Sequence, residues 1–244
     1  MAEKKQGTTE KMSKDIRLTL SFLALLARAS IYRILLVLAA MVFVESALFF
    51  VYSQKADGYA LGSNFYNQLL FPVFLAALGL IFFRLMWMEA VMSDAGMYTL
   101  QRLRISGSRI FFTEAFYNFF CLLMVFIVQI WLAIGMLSVH TKDTVSSQHL
   151  FLALYKIEFL HCLFPMAEVW KWLRNILLLL AFSMEAACGF GKRNYVLPVL
   201  TFLMTICWFI SPIGREFSDF VCILLSVLGI VAGLRRAWLC RLFL

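Results

Sequence analysis

Ser93–Asn118 reads SDAGMYTLQRLRISGSRIFFTEAFYN, and its position between two long apolar runs decides how the rest of the chain must be arranged. Arg102, Arg104 and Arg109 make it the densest charge between the first and last apolar runs. Leu100, Leu103 and Ile105 lie among those arginines. Basic residues collect in the cytoplasmic segments of membrane proteins, so the arginines mark a cytoplasmic turn. A solvated turn has no use for the three apolar residues. The stretch therefore reads as a patterned surface joining two membrane helices.

Composition agrees with that class. Of 244 residues, 63% are hydrophobic and only 15% charged, and the mean hydropathy is +0.86. Soluble domains sit near half apolar and a quarter charged. There are 25 Phe but only 12 Gly and 4 Pro, which favours long helices over a β-barrel, whose strands would alternate polar and apolar residues. The fold class expected is an all-α polytopic membrane protein. Its net charge of +8 follows from topology and implies no nucleic-acid partner. The cysteines form no C-x-x-C pair, and most lie in apolar runs, so they read as small hydrophobes, with no disulfide framework.

Going outward from the central stretch, residues 1–14 read as a disordered cytoplasmic tail; no signal-peptide pattern is present. Residues 15–30 carry a polar stripe of Arg17, Ser21, Ala24 and Arg28 against many leucines, which predicts an interfacial amphipathic helix. The alternative is a plain extension of the first span. A membrane helix needs about 20 mainly apolar residues, and 31–53, 68–92, 110–137, 172–190, 195–212 and 217–234 qualify. With both termini inside, 15 Lys and Arg fall in inner segments and six in outer ones, the bias expected of a cell-membrane protein with six spans in a domain covering 31–244. The large outer segment, 138–171, holds an amphipathic passage broken at Pro165. It is too short and too charged to span, and is expected to lie on or dip into the outer leaflet.

Several sites are excluded. GFGKRN at Gly189–Asn194 lacks the first glycine and the Ser/Thr of a phosphate loop, and no strand precedes it. His140, His149 and His161 have no metal-ligand spacing, and no span holds a protease constellation. Neither a catalytic residue nor a cofactor or metal site is expected in this chain. Glu45, Arg84 and Glu185, together with Glu89 and Glu114, lie within or near span ends. Such residues line a polar path or pair helices, and both roles stand open for Glu45, Arg84 and Glu185. Gly229 and Gly233 form a GxxxG pair suited to close helix packing.

The pattern Gly96-x-x-Thr99-Leu100-x-x-Leu103-x-Ile105-Ser106-x-x-Arg109-Ile110 resembles the permease subunits of type-2 ABC exporters. There, a short cytoplasmic helix carries Leu-x-x-Leu, and Ile-Ser precedes the next span. The basic N-terminal segment, six spans and long outer segment are similar as well. Arg104 stands where that family often has Pro, and Glu114 where a basic residue is common. The resemblance implies a transport subunit that performs no ATPase chemistry, with ATP bound by a separate cytoplasmic ATP-binding subunit. That partner would dock on segment 94–109 and on the N-terminal helix. Leu100, Leu103 and Ile105 would enter its groove while Arg102, Arg104 and Arg109 meet an acidic rim. A second permease chain, identical or homologous, would complete the path within the membrane lipid. The competing readings are a stand-alone polytopic scaffold, an enzyme with an unrecognised site, or a secondary transporter. Against the last, no Gly/Pro-broken helix recurs in matching halves.

Overall fold

The computed structural model describes residues 2–55, 65–91, 106–140, 157–165, 168–187, 196–210 and 215–242. Helices are α1 (Ala2–Lys55), α2 (Phe71–Val91), α3 (Gly107–His140), α4 (Glu158–Leu163), α5 (Val169–Ala186), α6 (Val196–Ile210) and α7 (Arg215–Leu242). A π-helical stretch, Tyr66–Leu70, leads into α2. No strand occurs among the described residues.

Helix α1 is 54 residues long, about 80 Å at 1.5 Å per residue. Residues 8–57 contain neither Gly nor Pro, so nothing in the sequence stops the helix. The basic stretch 15–30 and the span expected at 31–53 share this one helix, in the form of the extension. Of the segment 138–171, the structure describes 138–140, 157–165 and 168–171; the rest of that amphipathic passage lies outside the described residues. What is described there is the six-residue α4 and the start of α5.

Among the described residues, four helical stretches are long and apolar enough to cross a bilayer: Ile16–Ser53, Tyr66–Trp87, Gly107–Val139 and Phe217–Trp238. The other two expected spans are not among these four. Helix α5 has 18 residues and carries Lys171, Arg174 and Glu185, and α6 has 15 described residues. Large apolar side chains cover the outside, among them Phe43, Trp131 and Phe220. Exposed Trp87 and Trp238 lie near the C-terminal ends of α2 and α7, and Trp170 lies at the start of α5, the placement of interfacial aromatic belts. The protein is a membrane-embedded helical bundle.

Contacts between named residues fix the helix directions. Ser30 meets Tyr117 and Glu45 meets Gln129, so α1 and α3 run parallel. Phe65, entering α2, packs on Phe49 and Tyr52 at the end of α1, which makes α2 antiparallel to both. At the other end, Phe111 and Ala115 cluster with Ala187 and Ala237, so α5 and α7 oppose α3. Helix α6 starts beside the end of α5, where Thr201 reaches Glu185. In lipid, such a core is held by close packing and hydrogen bonds because lipid tails are as apolar as leucine. Phe82 lies flat on Phe202, centroids 4.5 Å apart, and Phe182 tilts against both.

Candidate functional site

Helix α3 occupies the middle of the bundle and packs against α1, α2, α4, α5 and α7. At 100° per residue, Glu114, Asn118 and Gln129 fall within about 60° of one another. All three are buried, so the face of α3 that meets the other helices carries a polar line among leucines and valines. Tyr117 extends it: its hydroxyl lies 2.5 Å from Ser30 Oγ, which donates its own proton to the Leu26 carbonyl at 3.0 Å. Tyr117 therefore donates to Ser30.

Two carboxylates meet this interior. Glu45 Oε2 accepts from Gln129 Nε2 at 2.9 Å, while Glu45 Oε1 and Gln129 Oε1 are buried without a partner. Glu185, near the end of α5, accepts from Thr201 Oγ1 at 2.5 Å, and its second oxygen is likewise unpartnered. Arg236 Nη1 donates to the Glu185 backbone carbonyl at 3.4 Å. Asn118 Nδ2 donates to the Ser183 carbonyl at 3.4 Å, leaving its Oδ1 unpartnered. Burying a polar group without a partner costs free energy, so these orphaned acceptors offer binding capacity for a donor or cation. The structure does not join Glu45, Arg84 and Glu185 into one site. Glu45 is held by Gln129, Glu185 by Thr201, and Arg84 stands apart on α2 with its Nε buried and unpartnered.

The glycine pair has an address within the chain. A Cβ on Gly229 would stand 2.7 Å from Glu185 Oε1, and one on Gly233 would stand 2.8 Å from Met184 Cβ. Both glycines serve the α5–α7 contact. The small size of Gly229 leaves room for Glu185, and that of Gly233 leaves room for Met184.

A third polar group lies where α5 and α7 begin. The Arg174 guanidinium pairs with Asp219 of α7 and donates to the Cys162 carbonyl at 3.0 Å. It also donates to Asn175 Oδ1, and Asn175 Nδ2 donates to the carbonyls of Cys162 and Leu163 at 2.9 and 3.3 Å. Nearby, Glu168 accepts from Lys171 at 2.6 Å and lies 3.1 Å from His161. The Lys171 ammonium is the main reason that the Glu168 carboxyl is held below its ordinary range, and His161 adds to the effect. Among the described residues no three His, Cys, Asp or Glu side chains gather as a metal site.

Of the expected docking residues, Leu100, Arg102, Leu103, Arg104 and Ile105 lie outside the described residues. Arg109 is described: it is exposed in the first turn of α3, and its backbone N–H donates to the Ser106 carbonyl at 2.9 Å. A cation there opposes the positive end of the helix dipole, so helix stability is no reason for its presence. Sequence reasoning by charge missed Asn118, Gln129, Asn175 and Thr201, because uncharged polar residues barely mark an apolar run. The signal available for the first two was their shared face on α3. No family model, curated protein or solved structure matches this chain.

Proposed function

We propose that the chain is the transmembrane permease subunit of an ATP-driven ABC export system, coupling ATP hydrolysis in a partner to movement of substrate across the cell membrane. The observation that carries this reading is the junction at Ser106. The motif's Ser106 directly precedes Gly107, where α3 begins, its Arg109 and Ile110 lie in the first turn, and α3 continues unbroken for 34 residues through the middle of the bundle. A push on segment 94–109 by a closing ATP-binding subunit would be delivered to the helix that touches most of the others. Partner closure then becomes helix tilt. Helices α1, α2, α3, α5, α6 and α7 alternate in direction, which supports six crossings with both termini cytoplasmic. In this reading α5 and α6 are the short crossings, sheltered by their neighbours. A second permease chain, identical or homologous, completes the path.

The test is co-purification with an ATP-binding subunit encoded nearby. Leu103→Asp or Arg109→Glu should abolish recovery of that subunit and leave the membrane protein folded. Undiminished assembly with both variants would overturn the docking surface. The orphaned oxygens of Glu45 and Glu185 favour a second reading, an ion-coupled transporter. It requires uptake into vesicles that is driven by an ion gradient without the partner and lost in Glu45→Gln.

A further inference from the structure

Helix α4 has only six residues, far below the length at which a helix stands alone in water. Its own side chains do not cap it: the N-cap, Ile157, makes no side-chain hydrogen bond. The missing partners come from other helices. Phe159 N–H, in the first turn, donates to Asn67 Oδ1 of the π-helical entry to α2 at 3.1 Å. The carbonyls of Cys162 and Leu163, in the last turn, accept from Asn175, and that of Cys162 also accepts from Arg174. At each end of α4, backbone groups that a helix leaves open thus find partners on other helices. The apolar face follows: Phe159 packs on Phe71 and Phe74 of α2, and Leu160 and Leu163 are buried.

We propose that residues 157–165 form a latched gate over this end of the bundle, in which docking and helix formation are a single event. Undocked, α4 loses both caps and its apolar contacts together, so no half-docked helix persists. Irregular backbone at membrane depth is tolerated only where protein satisfies it, and Asn67, Arg174 and Asn175 do so here. Arg174 makes the latch responsive. The guanidinium that holds the Cys162 carbonyl also pairs with Asp219 on α7, so separating the first turns of α5 and α7 pulls on the group that caps α4. Opening of the bundle at this end and release of the gate are therefore linked. The inference concerns this chain alone and holds with or without an ATPase partner.

Cys162, half-buried on α4, is a built-in reporter. The protein in lipid nanodiscs, which expose both faces, is treated with a membrane-impermeant maleimide, and the modification rate at Cys162 is read by peptide mass spectrometry. Asn175→Ala removes two of the hydrogen bonds and Asn67→Ala removes the one at the opposite end. Each is expected to raise the Cys162 rate by about tenfold, the scale of one or two lost hydrogen bonds. Buried Cys222 should stay unmodified and gel-filtration elution should not change. Rates equal to wild type in both variants would overturn the gate. Faster labelling of Cys162 and Cys222 together would also overturn it, because the change would then be general loosening.

Discussion

Glu45 carries a carboxyl group into a face of α1 otherwise lined by Ile34, Leu38 and Met41, and the only partner described for it is an amide. In a bilayer such a contact stabilises helix pairing by about 1 kcal/mol. Gln129→Leu should therefore cost about 1–3 kcal/mol by leaving the carboxylate unsatisfied. Glu45→Leu with Gln129→Leu should restore most of that loss, and thermal unfolding of the four proteins in a double-mutant cycle measures the coupling. Overpacking gives a second expectation. Gly233→Ala drives a methyl against Met184 Cβ, which is fixed to its backbone, whereas Gly229→Ala meets the movable end of Glu185. The former should lower stability by about 1–3 kcal/mol and more than the latter, as read by the midpoint of thermal unfolding. Glu168 supplies a pH dependence. Its folded pKa lies below the ordinary 4.5, so its contribution is present above that value and fades as pH falls through the folded one. Between pH 5 and 3 the wild type should lose more thermal stability than Glu168→Gln, modestly because the group is exposed. Glu45, Glu185, Gly229 and Gly233 were legible as charges or small residues in apolar runs. Their partners were not, because contacts between distant helices leave no mark on local pattern.

At the scale of elements, apolar runs located the helices well, and their ends less well. The expected spans at 68–92 and 110–137 correspond to helical stretches Tyr66–Val91 and Gly107–His140. In α1 the stretch 15–30 and the span at 31–53 share one continuous helix, so the polar stripe there marks a change of surface without a break in the backbone. The π-helical turn at Tyr66–Leu70 was illegible, since it follows Phe65, which packs on Phe49 and Tyr52 of distant α1, and begins with the fully buried Tyr66. Helix α4 was equally hidden. Its caps come from Asn67, Arg174 and Asn175, all remote from it in sequence or on another helix. Introducing Pro at His161 should undock α4, because Pro lacks the N–H that donates to the Ile157 carbonyl at 2.9 Å and restricts the preceding turn. The expected sign is faster maleimide modification of Cys162 with unchanged helix content by circular dichroism, since six residues contribute little to the total.

For the whole molecule, the membrane class followed from composition alone, and the exposed surface of Phe, Leu and Trp is what that composition becomes when folded. Function was less legible. The residues expected to meet a partner lie in a segment that joins α2 to α3, and their role depends on a second protein. The buried carboxylates are distributed over three helices, Glu45 on α1, Glu114 on α3 and Glu185 on α5, and Glu45 and Glu185 have different partners. The docking surface therefore stands or falls on assembly with an ATP-binding subunit.

Ser30–Tyr117 and Glu45–Gln129 together have a consequence for motion. These contacts are 15 residues apart along α1 and 12 along α3, roughly 22 and 18 Å at the helical rise. Like two pins of unequal spacing, they key the helices at one register. Slipping α1 by a single turn would set Glu45 beside Val125 or Ala133, both fully buried and apolar, and would break Ser30 from Tyr117 in the same step. Sliding therefore breaks both contacts in one step, whereas a tilt that carries α1 and α3 together keeps both.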